Sequence, residues 1–218
     1  MKIIPTIFAH NKKEFSQRFK KILPIAKNIQ IDFMDGKFVN SKSVSLEQIP
    51  NLKKYKNNFE AHLMVKNPED YIKKLKQKDF KKIIFHIEAT KNPKEVIQLI
   101  KNQKLSPYLA INPETNIERI LPYISEIKGV LFMGVHPGKE HQHFIAKVYK
   151  KISQLRKSNK KITIQVDGGI NEKTIKKLAL LGVSRINSGS FVADSENPKE
   201  TLNKLNSIFI KRWECLCK

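Results

Sequence analysis

The stretch KITIQVDGGINEKTIKKLALLGVSRINSGS (residues 161–190) holds one complete folding unit. Residues 162–166 are a short apolar run that reads as a strand, and Asp167-Gly168-Gly169 breaks it. Residues 171–181 follow with helical period, ended by Gly182. Residues 183–187 form a second apolar run before Ser188-Gly189-Ser190. Strand, helix and strand joined by short turns make a parallel βαβ unit, because parallel neighbours need a crossover long enough to carry a helix.

The same rhythm runs through the chain upstream. Strands are predicted at residues 3–8, 29–33, 59–65, 82–87, 107–111 and 129–135. Helices are predicted at 11–22, 92–102, 143–157 and 198–212, with a short one opening at Thr115 or Asn116. Asn67-Pro68-Glu69-Asp70 reads as a further helix start, with a capping side chain, Pro in the first turn and acids beside it. Eight strands alternate with seven or eight helices, and no Pro/Gly/Ser-rich linker separates two halves. The fold class is therefore α/β, a single (β/α)8 TIM barrel over residues 1–218. An open doubly wound sheet stays open as the alternative on the pattern alone.

Composition narrows the function classes. The chain has 218 residues, 40% of them apolar, which is enough for a core, and a formal net charge of +22. Only Arg18, Arg119, Arg156, Arg185 and Arg212 are arginines; the rest of the excess is Lys, spread in pairs such as Lys73-Lys74 and Lys150-Lys151. Solvated Lys on helices reads as a generally basic surface, so no specific nucleic-acid partner is expected, while a small anionic substrate gains from the field. Cys215 and Cys217 form neither a disulfide framework nor a zinc-ligand pattern and read as tail thiols. No signal-peptide core and no apolar run near the ~18 residues of a membrane span is present, so a cytoplasmic protein without a membrane partner is expected.

A barrel keeps its chemistry at the C-terminal ends of its strands. There the sequence puts Asp32, Met34 and Asp35 after strand two, His62 and Met64 on strand three, and His86 and Glu88 on strand four. Met133 and the His136-Pro137-Gly138 turn follow on strand six, and Asp167 on strand seven. Asp32 alternates with Ile31 and Phe33 and so faces the barrel interior or mouth. Strands two and seven are not neighbours in an eight-strand ring, so Asp32 and Asp167 would approach a central ligand from different sides. Such a pair suits removal of a proton from one face of a carbon and its return to the other. A structural role for a lone carboxylate stays open. Gly168-Gly169 and Gly189-Ser190 follow strands seven and eight, where barrels often bind phosphate; tight turns are the alternative.

These segments resemble one family in order and spacing. Ile31-Asp32-Phe33-Met34-Asp35-Gly36-Lys37-Phe38-Val39 is similar to the D-x-M-D-G-x-F-V signature of ribulose-phosphate 3-epimerases. His62-Leu63-Met64-Val65, Val166-Asp167-Gly168-Gly169-Ile170-Asn171 and Asn187-Ser188-Gly189-Ser190 resemble its H-L-M-V, V-D-G-G-I-N and phosphate-binding G-S segments. The resemblance implies the ribulose-phosphate-binding barrel and inversion of C3 of D-ribulose 5-phosphate to D-xylulose 5-phosphate through an enediolate. Asp32 and Asp167 are implied as the acid/base pair. Asp32, His62 and Asp167 are implied as ligands of a divalent metal (Zn, Fe or Mn). Met34, His62, Met64, Met133, Gly138, Gly168, Gly169, Gly189 and Ser190 are implied as substrate and phosphate contacts, and family members are often homo-oligomers.

Three places depart from the family pattern. The fourth metal ligand, a His two residues before Asp32, is Gln30 here. A substrate-contacting hydroxyl near the N-terminus is Ala9. The mobile loop after strand six reads His136-Pro137-Gly138-Lys139-Glu140-His141-Gln142, without its glycine pair, which predicts a stiffer lid. These changes leave open a 3-epimerase of another ketose phosphate such as allulose 6-phosphate, or a non-catalytic sugar-phosphate-binding barrel without its metal.

Overall fold

Eight strands pair in parallel in chain order, and the last closes on the first. They are β1 (Lys2–Ile7), β2 (Asn28–Met34), β3 (Asn58–Met64), β4 (Lys82–His86), β5 (Ser106–Ile111), β6 (Gly129–Met133), β7 (Thr163–Asp167) and β8 (Arg185–Ser188). The computed structural model describes residues 2–214, so Cys215 and Cys217 lie outside the described residues. The closed ring settles the choice between a barrel and an open sheet.

Helices α1 (Lys12–Ile22), α2 (Glu69–Gln77), α3 (Pro93–Asn102), α4 (Lys147–Ser158), α5 (Glu172–Leu180), α6 (Ser190–Ala193) and α7 (Pro198–Glu214) connect or follow the strands. Local chemistry explains several of their ends. The Asn11 side chain accepts from the Glu14 N–H, and the Asn171 side chain accepts from Lys173 and Thr174, so both cap free N–H groups. At α2 the cap differs from expectation: Pro68 itself takes that position, and no side-chain hydrogen bond from Asn67 is made.

Other expectations need correction. The helix predicted from His143 begins only at Lys147; tertiary contacts hold the preceding residues at the barrel rim, where Phe144 packs against Gly134 and Gly169 and the Ile145 N–H donates to the Gly134 carbonyl at 2.7 Å. The short helix near Asn116 is a pair of 3₁₀ turns, Ile117–Arg119 and Leu121–Tyr123, the second carrying Pro122 in its first turn. The turn of α6 at Ser190 is too short for a periodic signal.

Strand alternation sorts the side chains into two layers. Ile29, Ile31, Phe33, Phe59, Leu63, Phe85, Phe132, Val166 and their like point outward and join the helices in one apolar shell. Burial of each such large side chain contributes about 2–3 kcal/mol. The inward-facing set is divided. Ile84, Tyr108, Ala110, Leu131 and Met133 make an apolar sector on β4–β6. Thr6, Gln30, Asp32, Glu60, His62, Gln165, Asp167 and Asn187, all buried, make a polar sector on the remaining strands, joined by Lys82 and His86 at the two ends of β4. The site lies at the upper edge of that polar sector.

Candidate active site

The register of β2 against β3 sets Gln30 beside Glu60, Asp32 beside His62 and Met34 beside Met64. That of β7 against β8 sets Asp167 beside Asn187. Residues two apart on a strand face the same way, so Gln30 stands one layer below Asp32. The Gln30 Nε2 group donates to Asp32 Oδ1 at 2.9 Å and to Asp167 Oδ2 at 2.6 Å. One amide thus spans carboxylates from two strands that are not neighbours. The Asp167 carboxyl is raised to about 7, first by burial and then by the Asp32 charge, with His62 and the Gln30 amide pulling the other way.

A line of four groups runs sideways from Asp32. His62 Nδ1 lies 3.2 Å from Asp32 Oδ1, and His62 Nε2 lies 3.0 Å from His86 Nε2. His86 Nδ1 lies 3.3 Å from Glu88 Oε2, and Glu88 Oε1 accepts the Asn112 N–H at 2.9 Å. Glu88 as a carboxylate accepts only, so His86 carries its proton on Nδ1 and offers the Nε2 lone pair to His62. Burial alone would lower His62, yet its bond to Asp32 and the charges of Asp32, Asp167 and Glu60 leave it raised. His86 is lowered, burial outweighing Glu88. Glu88 is held near 2: burial would raise it, but the hydrogen bond from His86 and those from Thr115 and Asn112 prevail.

A cavity of about 460 Å³ opens above the carboxylates. Asp32, Met34, Met64, Met133, Gly138, Asp167, Gly168, Gly169, Gly189 and Ser190 all line it, so the expected contacts come together with one exception. His62 is fully buried beneath the wall and does not line the cavity. Met34 and Met64 belong to an apolar cluster with Phe8 and Val39 at the rim. Asp35 of the same signature holds the loop, accepting backbone N–H groups from Lys37, Phe38 and Lys66 at 2.8–2.9 Å.

Gly168 and Gly169 have φ of +93° and +69°. A Cβ on Gly169 would meet the Phe144 backbone nitrogen at 2.6 Å, so this turn and the segment that follows the lid approach too closely for a side chain. The lid itself is fastened at two points. Ser41 Oγ donates to the Gly138 carbonyl at 2.5 Å, and Arg18 pairs with Glu140 at 3.0 Å while also donating to the Phe8 carbonyl at 2.7 Å. Lys139 and His141 line the cavity, as a cationic or imidazole contact from the lid requires.

Asp32, His62 and Asp167 offer ligand atoms within 4.8 Å of one another, a group that could hold a metal ion. His62 suits the task in its neutral form, because His86 accepts from Nε2 and leaves Nδ1, 3.2 Å from Asp32 Oδ1, as the nitrogen that could ligate. Gln30 does not suit it as oriented. It faces the other three through an N–H group, and a donor has no lone pair for a cation. The four-ligand set therefore fits at three corners and fails at the fourth.

Sequence reasoning missed the residues beneath the site. Gln165, Lys82, Glu60 and Arg185 fill the barrel floor, and Arg18 latches the lid. Parity was their signal: Gln165 is two residues before Asp167, as Gln30 is two before Asp32.

Residues 2–193 match the ribulose-phosphate 3 epimerase family. The ribulose-phosphate 3-epimerase of Schizosaccharomyces pombe is 29% identical over 98% of this chain and 96% of its own. That of Buchnera aphidicola is 32% identical over 92% and 93%. The rice cytoplasmic isoform is 30% identical over 94% and 92%. Among solved structures, KGPDC from Streptococcus mutans in complex with D-R5P has a TM-score of 0.73 at 13% identity, covering 97% of this chain and 98% of that one. Salmonella typhimurium 3-hexulose-6-phosphate synthase has a TM-score of 0.72 at 14%, over 97% and 100%. At such identity these two share the barrel fold, whereas the family match spans nearly the whole chain: it belongs to the ribulose-phosphate 3-epimerase family.

Proposed function

We propose that this chain is a ribulose-phosphate 3-epimerase, an isomerase that inverts C3 of D-ribulose 5-phosphate to give D-xylulose 5-phosphate. Its unit is the one barrel domain of residues 1–218. The observation that carries the assignment of roles is the pair Asp32 and Asp167, brought from β2 and β7 to the floor of one cavity. One carboxylate removes the C3 proton, a cis-enediolate forms, and the other carboxyl returns a proton to the opposite face. An Asp167 held near neutral pH suits both directions, since a group with a pKa near the working pH gives and takes a proton with equal ease. His62, hydrogen-bonded to Asp32 through Nδ1, and the Gln30 amide orient the two carboxylates. The Gly168-Gly169 and Gly189-Ser190 turns receive the phosphate, and Met34, Met64 and Met133 pack against the sugar. A divalent ion (Zn, Fe or Mn) held by Asp32, His62 and Asp167 would supply Lewis-acid stabilisation of the enediolate oxygens. A cytoplasmic location, as named for the rice relative, goes with this reading.

The test is NMR of D-ribulose 5-phosphate in D₂O with the purified protein, with chelator and with added Zn²⁺ or Mn²⁺. Loss of the C3 proton signal with growth of xylulose 5-phosphate is expected. Asp32→Asn and Asp167→Asn should each abolish the exchange in a folded protein. Wild-type exchange in Asp167→Asn would refute the pair, and turnover of allulose 6-phosphate without any of the pentulose would move the substrate to six carbons.

A further inference from the structure

The polar interior of the barrel has a direction. At its floor Lys82 Nζ donates to Gln165 Oε1 at 3.2 Å and pairs with Glu60, while its ammonium lies over the Tyr108 ring at 4.0 Å. An ammonium can only donate, so the Gln165 oxygen must face it and the Gln165 nitrogen must face the other way. There Gln165 Nε2 meets Asn187 Oδ1 at 2.6 Å, and Glu60 Oε1 and Gln30 Oε1 at 3.4 Å each. Asn187 in turn directs Nδ2 to Thr6 Oγ1 at 3.1 Å. With its oxygen facing Gln165, Gln30 has its nitrogen facing upward, within 2.9 Å of Asp32 Oδ1, 2.6 Å of Asp167 Oδ2 and 3.5 Å of both Thr6 Oγ1 and His62 Nδ1.

Lys82 can only donate, and at the other end the oxygens that face Gln30, Asp32 Oδ1 and Asp167 Oδ2, stand as acceptors at 2.9 and 2.6 Å. Two amides between such ends have one arrangement in which every link is made. Gln30, Gln165 and Asn187 are fully buried, so water cannot repair a reversed link.

We propose that Gln30 is a positioning residue, its amide oriented from the barrel floor by Lys82 through Gln165. That amide bridges Asp32 and Asp167 in the place a divalent cation would take, and so disfavours such cations. The inference deepens the reading of Asp32 and Asp167 as the reacting pair, but its geometry is independent of catalysis. To give a cation a fourth ligand, Gln30 must turn over and present Oε1. Its nitrogen then faces the Gln165 nitrogen, donor against donor in a dry interior. An unmet buried hydrogen bond of this kind lowers cation affinity roughly 10- to 100-fold.

The experiment is titration of the full chain with Mn²⁺, read by EPR of the free ion, so that no activity is needed. Gln165→Glu replaces the donor by a group that only accepts. It draws the Gln30 nitrogen downward and frees the Gln30 oxygen, and Mn²⁺ binding should tighten about 10-fold or more. The same substitution in a Gln30→Ala background should give no such gain. Equal gain in both backgrounds would mean that the added charge acts directly, and it would overturn the proposal, as would no gain in either. Gln30→His is the second arm, for the event that Gln165→Glu does not fold. It should bind Mn²⁺ far more tightly than wild type, and wild-type binding as tight as that of Gln30→His would also overturn the proposal. If these contrasts hold in a protein that does not exchange the C3 proton, the amide bridge stands and the epimerase reading falls.

Discussion

Replacing Glu88 by Gln separates charge from shape in the line of groups beside the carboxylates. The variant keeps an oxygen for the Asn112 N–H but turns an amide nitrogen toward His86 Nδ1, which is itself a donor. A carboxyl held near 2 against an ordinary 4.5 contributes up to about 3 kcal/mol at pH 7. Burial keeps His86 neutral, so a hydrogen bond and not a full ion pair carries most of this, and we take about 2 kcal/mol. The folded value is depressed, so this stability is complete above the unfolded value of 4.5 and is lost as the pH falls toward 2. Urea unfolding of wild type and Glu88→Gln should therefore differ by about 2 kcal/mol at pH 7 and by about 1 kcal/mol or less at pH 3. A gap equal at both pH values would show that the ionised carboxylate is not what stabilises the line. No gap at pH 7 would mean that His86 takes its other tautomer at no cost, and the proton positions argued for His62 and His86 would fall with it.

Two other predictions concern the rim. Gly169→Ala forces a side chain into left-handed backbone against the Phe144 nitrogen and should cost at least about 2 kcal/mol in urea unfolding, with weaker sugar-phosphate binding; an unchanged midpoint would refute the tight approach. Arg18→Ala removes the partner of Glu140 and of Asp194, at 3.0 and 3.2 Å, and should unlatch the lid, seen as several-fold faster tryptic cleavage at Lys139 and a higher KM for the substrate. An unchanged cleavage rate would show that Ser41 alone holds the loop.

Much of the barrel was legible because both of its signals are local. Runs such as residues 162–166 and 183–187 announce strands by composition, and Gly182, with φ of +71°, ends α5 as its place in the sequence implied. The cavity wall was legible too, since strand ends and the loops after them converge in any such barrel. What stayed hidden is pairwise. That Asp32 shares an amide with Asp167 depends on the stagger of eight strands, and no spacing along the chain reports it. His86 and Glu88 were visible as strand-four residues, but their link to His62 needs the register of β3 against β4. The late start of α4 was hidden for a similar reason, because contacts of Phe144 and Ile145 with the Gly134 and Gly169 turns are made across the barrel rim and not along the chain.

The division of each strand into an outward apolar face and an inward face has an evolutionary consequence. Stability resides mainly between the barrel and its helices, in residues such as Phe33, Phe85 and Phe132 that never touch the cavity. The inner lining can therefore drift while the shell conserves the architecture. Gln30→His would change the proton and cation chemistry of the lining without touching that outer shell. A lineage built this way can try new reactions one inward residue at a time.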